Sequence, residues 1–279
     1  MKSIITKIFF CILVLAVLTA CSMPRILYNN ADLLLLNWFD DYFELNKQQR
    51  SDLKKGIGRL LDWHRKSELP KVILFLEDLK FRYEQGISEE DIKWSRAQSE
   101  QFLERILYHF EGDLISVLLT IEDSQILRMK KKLFERNEQL VKQSKMSSIE
   151  LHEHILDWVY ETLEDWLGYL ESEQKQKIAG WVKPDSNWIA IKLKNRKKTQ
   201  ADLTRLLQSK ELLKENLHAW MYHIESHWTD EFKIHVKAKK REWIGIFLKI
   251  DAITRSNQRK HAAKELQYYI DNFKELTKL

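Results

Sequence analysis

Two short stretches carry the residue types of an acid–base site. Asp40 and Asp41 supply carboxylates, and His64 with Arg65 supplies an imidazole and a guanidinium. A carboxylate that accepts from an imidazole N–H can orient it as a general base. Adjacent residues on a helix point about 100° apart, so Asp40 and Asp41 do not converge as a carboxylate pair. The expectation is therefore structural: one of them caps a helix or pairs with Arg50 or Arg65, while Trp38 and Trp63 pack inward. Trp38, Asp40, Asp41, Trp63, His64 and Arg65 stand as candidate binding residues, and no catalytic residue is assigned. An enzyme joining Asp40 or Asp41 to His64 remains an alternative.

His223 and His227 lie four apart, a spacing at which two imidazoles on one helix face could chelate a metal. The sequence His223-Ile224-Glu225-Ser226-His227 lacks the Glu that follows the first His in zinc proteases. His152-Glu153-His154 is weaker, because positions two apart diverge on a helix. No Gly-rich phosphate loop and no Gly-x-Ser-x-Gly elbow occurs. No metal and no cofactor is assigned, and the chain reads as a non-enzyme. Ten Trp residues raise the prospect of a sugar or peptide groove, since indole faces stack on sugars and cations. Trp158 with Trp166, and Trp220 with Trp228, are eight apart and fit core stripes, unless an aromatic cluster proves exposed.

The elements that must position these residues are helices. Only 7 Gly and 3 Pro occur among 279 residues, far below ordinary usage, and straight-chain helix formers abound. The fold class is all-α: a bundle of roughly eight to eleven helices with short loops. Residues 33–43 make an apolar first helix. Asn46 with Gln49 forms a capping box that opens a second, whose face carries Leu53, Ile57, Leu60, Leu61 and His64. Pro70 suits the first turn of a third helix that ends at Gly86. A fourth stripe ends at Gly112, a fifth helix runs from Asp113 towards Lys145, and Ser147 with Glu150 caps the next. A break near Gly180 to Asn187 around Pro184 is followed by helices over 188–208, 210–228, 229–251 and 256–279. A weak recurrence links Leu45-Asn46-Lys47-Gln48-Gln49, Leu170-Glu171-Ser172-Glu173-Gln174 and, more loosely, Ile253-Thr254-Arg255-Ser256-Asn257-Gln258, each at a helix start. The unequal intervals exclude a solenoid period.

The amino terminus carries a different kind of chemistry. Lys2 and Lys7 precede an apolar run from Ile8 to Leu18, and small residues lead into Cys21. That order describes a secretory signal. The run is shorter than the ~20 residues needed to cross a bilayer. Leu18-Thr19-Ala20-Cys21 resembles the processing site of bacterial lipoproteins, which implies cleavage between Ala20 and Cys21, a diacylglycerol thioether on Cys21 and a further acyl chain, such as palmitate, on its amino group. Two or more chains anchor stably. In such lipoproteins Asp after the cysteine favours inner-membrane retention. Ser22 stands there, so the expected location is the inner leaflet of the outer membrane, facing the periplasm. Cys11 leaves with the signal, so disulfides and cysteine metal sites are excluded.

The expected organisation is a signal at 1–20, a lipidated tether at 21–30, an acidic helical region at 31–183 and a basic one at 184–279, the last two either separate or one continuous domain. Residues 186–279 hold 20 Lys and Arg against 11 Asp and Glu, whereas residues 21–185 hold 24 against 30. A basic surface attracts anions. The compartment argues against nucleic acid and for the membrane, an envelope protein or an anionic envelope polymer.

Two resemblances extend the reading. Tyr28-Asn29-Asn30-Ala31-Asp32, Trp38-Phe39-Asp40-Asp41-Tyr42-Phe43 with Leu45 and Gln49-Arg50, and Trp63-His64-Arg65 before Glu68-Leu69-Pro70 resemble an uncharacterised family of bacterial envelope lipoproteins, which implies an all-helical fold and no established activity. The recurrence is similar to the Leu-Thr-x-x-Gln motif of the Spy and CpxP type of periplasmic chaperone. Asn46, Glu171 and Thr254 take the Thr position, and Gln258 then falls one residue late. The leading expectation is a lipid-anchored envelope protein that binds noncovalently as an assembly, scaffold or maintenance factor. The alternative is a chaperone for unfolded envelope proteins.

Overall fold

The computed structural model describes residues 24–278. Ala20 and Cys21, with the rest of the signal and its cleavage site, lie outside the described residues. Among the described residues every regular element is helical. In chain order these are α1 Pro24–Asn29, α2 Ala31–Phe43, α3 Lys47–Trp63, a π-helical turn His64–Glu68, α4 Leu69–Gln85, α5 Glu89–Leu118 and α6 Asp123–Ser144. They continue as α7 Ser148–Leu167, α8 Ser172–Trp181, α9 Ser186–Leu207, α10 Lys210–Tyr222, a 3₁₀ turn Ile224–His227, α11 Asp230–Ile253 and α12 Ser256–Thr277.

Local chemistry sets most boundaries. Asn46 accepts from the Gln49 N–H at 2.9 Å, and Ser147 from the Glu150 N–H at 3.2 Å, so both expected capping boxes open their helices. Gly86 ends α4 with φ +98°, a conformation that side chains resist. The segment read as a tether holds the helix α1, so residues 33–43 fall in the second helix, and two further boundaries differ from the sequence reading. Gly112 does not stop a helix: α5 runs through it for 30 residues, and the chain turns instead at residues 119–122. A single Gly costs only ~1 kcal/mol within a helix that tertiary packing holds, and Phe110, Val117 and Leu118 on either side are buried. The helix expected over 210–228 ends at Tyr222. His223 therefore caps α10 and His227 sits in the 3₁₀ turn, so the pair does not share one helix face.

The helices close around several apolar clusters. The largest gathers Leu35, Phe39, Tyr42 and Phe43 of α2, Leu53 and Ile57 of α3, Ile106 and Phe110 of α5, Met129 and Leu133 of α6, and Leu213 and Trp220 of α10. At Gly56 the α3 and α5 backbones approach so closely that a Cβ would sit 2.7 Å from Asp113 Cβ. A second cluster joins α7, α8, α11 and α12 through Val159, Ile178, Ile250 and Ala262. A third joins α1, α4 and α12 through Tyr28, Leu69, Ile73 and Ile270. A fourth joins α7, α9 and α11 around Leu151, Trp188 and Phe232. The basic region is interleaved with the acidic one: α12 lies along α4, α9 against α6 and α10 against α5.

Candidate functional site

The π-turn between α3 and α4 gathers several of the candidate residues. Pro70 has no N–H and its ring crowds the carbonyl four residues back, so a regular α-turn cannot pass through it unaltered. The backbone widens just before it, with the Leu69 N–H donating to His64 O across five residues. Such π-bulges recur at functional sites. This one carries His64, Arg65 and Glu68.

His64 Nδ1 lies 2.8 Å from the Tyr28 hydroxyl, an O–H···N bond when the neutral ring carries its proton on Nε2. Burial pushes the His64 imidazole down to about 4, against an opposing pull from Glu68. Burial likewise lifts the Tyr28 phenol to about 12, with Arg65 working the other way. Arg65 Nη2 donates to Asn29 Oδ1 at 2.9 Å, and its guanidinium lies 5.4 Å from the centre of the Tyr28 ring. Both members of the Tyr28-Asn29 pair in α1 therefore bind the His64-Arg65 pair of the turn. Glu68 is fully buried and ion-paired to Arg105 of α5, at 2.7 Å through Nε, and to Lys71 at 3.3 Å. Trp63 stacks on His109 of α5 at 3.7 Å between ring centres.

Asp40 and Asp41 lie elsewhere. Asp40 pairs with Arg50 at 3.1 Å and accepts from the Leu45 N–H at 3.1 Å, bracing the turn between α2 and α3. Asp41 pairs with Lys132 at 2.6 Å and Arg136 at 3.7 Å, both on α6. Trp38 packs on Phe39 and Tyr42 against the largest cluster, where Trp63 also packs. The structural expectation for Asp40 and both indoles holds, and the geometry gives no contact between either carboxylate and His64. A neutral His64 engaged by Tyr28 and a Glu68 engaged by Arg105 lock helices together, with α1 docked on the α3–α4 junction.

The recurrence marks a second polar device, and it has four copies rather than the three visible in the sequence. Gln49 and Gln125 are buried side by side, each amide donating to the other's oxygen, at 3.0 and 2.8 Å. Each oxygen also accepts from the N-cap N–H of its own helix, Asn46 or Glu122, at 3.0 Å. Each nitrogen also donates to the carbonyl two residues before the partner's N-cap, Thr120 at 2.8 Å and Glu44 at 3.2 Å. Gln174 and Gln258 repeat the pattern, exchanging bonds of 2.9 and 2.8 Å. Their oxygens accept from Glu171 and Arg255 N–H, and their nitrogens donate to Ile253 and Tyr169 carbonyls. Gln258 is thus in register, since Arg255 and not Thr254 is its N-cap. Ile121-Glu122-Asp123-Ser124-Gln125 is a fourth copy, concealed when residues 113–145 are read as one helix.

Among the aromatics, Trp220 and Trp228 are buried, but Trp158 is 57% exposed and meets Trp243 edge-on at 6.2 Å. Trp158 does not belong to a core stripe with Trp166, which packs on Tyr269. No group of three or more His, Cys, Asp or Glu suited to a metal occurs among the described residues.

No curated protein and no solved structure matches the chain. A family model described as a family of unknown function, DUF6279, matches residues 41–233. That range covers most of the sequence and includes Asp41, Gln49, the π-turn, Gln125 and Gln174, and the chain belongs to this uncharacterised family.

Proposed function

We propose that the chain is a lipid-anchored envelope protein, tethered through Cys21 to the inner leaflet of the outer membrane, whose helical body acts in the periplasm by noncovalent binding as an assembly, scaffold or maintenance factor. The observation that carries this reading is Leu18-Thr19-Ala20-Cys21 at the end of an apolar run, followed within three residues by the first helix at Pro24. No described helix is long and apolar enough to cross a membrane. Binding is favoured over catalysis by where the polar groups and the apolar groups lie. His64, Glu68 and the four glutamines are spent on internal partners. Large apolar side chains stand exposed, including Trp158 beside Trp243, and Leu127 with Phe134 seven apart on α6. The Trp158–Trp243 pair is the one of these in which two exposed apolar side chains meet, and contiguous exposed apolar surface marks interaction sites. The partner class is an envelope protein or an anionic envelope polymer.

Crosslinking in cells, followed by affinity recovery, tests the reading when wild type is run beside Cys21→Ala. One reproducible envelope partner, lost or reduced in the variant, is the expected result. Recovery of none from either strain contradicts a scaffold role.

A second reading, a chaperone for unfolded envelope proteins, is favoured by the fourfold helix start with Gln at its third position, which resembles the Leu-Thr-x-x-Gln chaperone motif, together with the exposed apolar side chains. Purified protein then suppresses aggregation of an unfolded client at a near-stoichiometric ratio. Absence of any effect at excess protein removes this reading.

A further inference from the structure

We infer that the outer face of α1 and α2 is a membrane-contacting surface, which lies flat on the bilayer that holds Cys21. This rests on the lipid-anchor reading above. The two short helices run nearly as one, because Asn30 N–H bonds to Ile26 O at 3.0 Å and Leu34 N–H to Asn30 O at 3.1 Å. Their exposed residues recur at helical spacing: Arg25 and Ile26, Asn29 and Asn30, Leu33 and Leu34, then Asn37. In a chain of which 31% is charged, the exposed positions from 25 to 37 carry one charge, Arg25; Asp40 and Asp41 continue the face beyond them, in ion pairs with Arg50 and with Lys132 and Arg136. Ile26, Leu33 and Leu34 are 48%, 45% and 50% exposed. The opposite face, with Tyr28, Ala31, Leu35 and Leu36, is buried in the body.

The occupant follows from the distance to the anchor. Pro24 is three chain steps from Cys21, a reach of about 10 Å when extended, and Leu34 lies only about 15 Å further along the helix axis. A helix tethered this closely starts beside the headgroups, and its exposed apolar side chains favour the pose that lies flat on them over the one that stands upright. Apolar side chains at that depth lie in the interfacial layer, where amphipathic helices bury their apolar face by about 5–10 Å. The Tyr28–His64 and Asn29–Arg65 bonds fix α1 to the body, so contact along the stripe also sets the orientation of the whole molecule.

Removal of Cys11 with the signal and lipidation of Cys21 leave no other thiol, so a single introduced cysteine takes a unique spin label. Full-length lipidated protein carrying Ile26→Cys, Leu33→Cys or Leu34→Cys is labelled with a nitroxide and reconstituted on phosphatidylethanolamine vesicles with a minority of phosphatidylglycerol. Leu127→Cys, at a site 66% exposed on α6, is the control. The expected result is a several-fold lower collision rate with an aqueous nickel chelate at positions 26, 33 and 34 than at 127. Equal accessibility at all four sites, with the protein still floating with the vesicles, overturns the contact surface and leaves the anchor standing. Failure to float at all overturns the anchor and the surface together. The substituted positions are exposed, and unchanged circular dichroism confirms the fold of each variant.

Discussion

Two glutamine clasps in this molecule, each tying one interhelical turn to another, solve one problem with the same four hydrogen-bond types, and their surroundings differ. The Gln49–Gln125 clasp ties the α2–α3 turn to the α5–α6 turn over a core rich in aromatics, Phe39, Tyr42, Phe43 and Phe110. The Gln174–Gln258 clasp ties α7–α8 to α11–α12 over an aliphatic one, Val159, Ile178, Val182 and Ile250. In the first, the Asn46 side chain adds its own cap bond and Asp40 with Arg50 braces the loop. In the second, the two N-cap side chains, Glu171 and Arg255, pair with each other at 2.6 Å. The N-cap residues thus range over Asn, Glu, Glu and Arg while the glutamines do not vary. The amide uses the N-cap's backbone N–H, which every one of these residues supplies. Only glutamine offers two donors and two acceptor lone pairs at this reach, so all of its hydrogen-bonding capacity is met in a buried position.

The largest test of this equivalence removes one glutamine. Gln258→Leu leaves Arg255 N–H, Tyr169 C=O and one side of Gln174 unmet, and at about 1–3 kcal/mol for each buried polar group the loss comes to roughly 3–5 kcal/mol. Gln49→Leu should cost a similar amount, read as the shift in urea midpoint. A double-mutant cycle on Gln174 and Gln258 should show strong coupling, because the second substitution removes a group already orphaned. A cost below ~1 kcal/mol in one clasp only would break the comparison.

Arg105→Ala tests the polar turn outside the clasps. It leaves the fully buried Glu68 with Lys71 alone, and breaking a buried pair costs about 3 kcal/mol. Acid should also act at this end of the molecule. The His64 imidazole is held near pH 4 in the fold against 6.5 in its ordinary state, so the unfolded chain binds the extra proton between those values. The stabilising contribution is complete above pH 6.5 and is lost as pH falls towards 4, by about 3 kcal/mol. Denaturation midpoints of wild type and His64→Gln across that window check it, since the variant should lose this part of the slope. The smallest effect is expected from Arg255→Ala, because exposed ion pairs contribute little to stability. A larger loss would mean that the second clasp depends on its ion pair and differs in kind from the first.

The sequence exposes these elements unevenly. Asn46 with Gln49 and Ser147 with Glu150 are readable because a capping box is local, four residues with one geometry. Pro70 and the apolar spacing of Leu53, Ile57 and Leu60 are equally local and match the structure. The partner of each glutamine is not local, since Gln49 meets Gln125 and Gln174 meets Gln258 across most of a half-chain. Ile121 and Gln125 bear the same spacing as Leu45 and Gln49, but a Gly112 taken as a helix breaker conceals the turn. The π-turn follows from Pro70 only once Tyr28 and Arg105 are known to hold His64 and Glu68 inward. Trp158 fits a helical apolar period and still faces solvent, because periodicity assigns a face and tertiary packing decides whether that face is covered.

The central proposal is that one residue, Cys21, is the covalent anchor of this helical body to a membrane. Fractionation of cells expressing wild type or Cys21→Ala tests it most directly. Wild type should sediment with the outer membrane, and the variant should leave that fraction. Identical membrane fractionation of the two proteins would contradict the account.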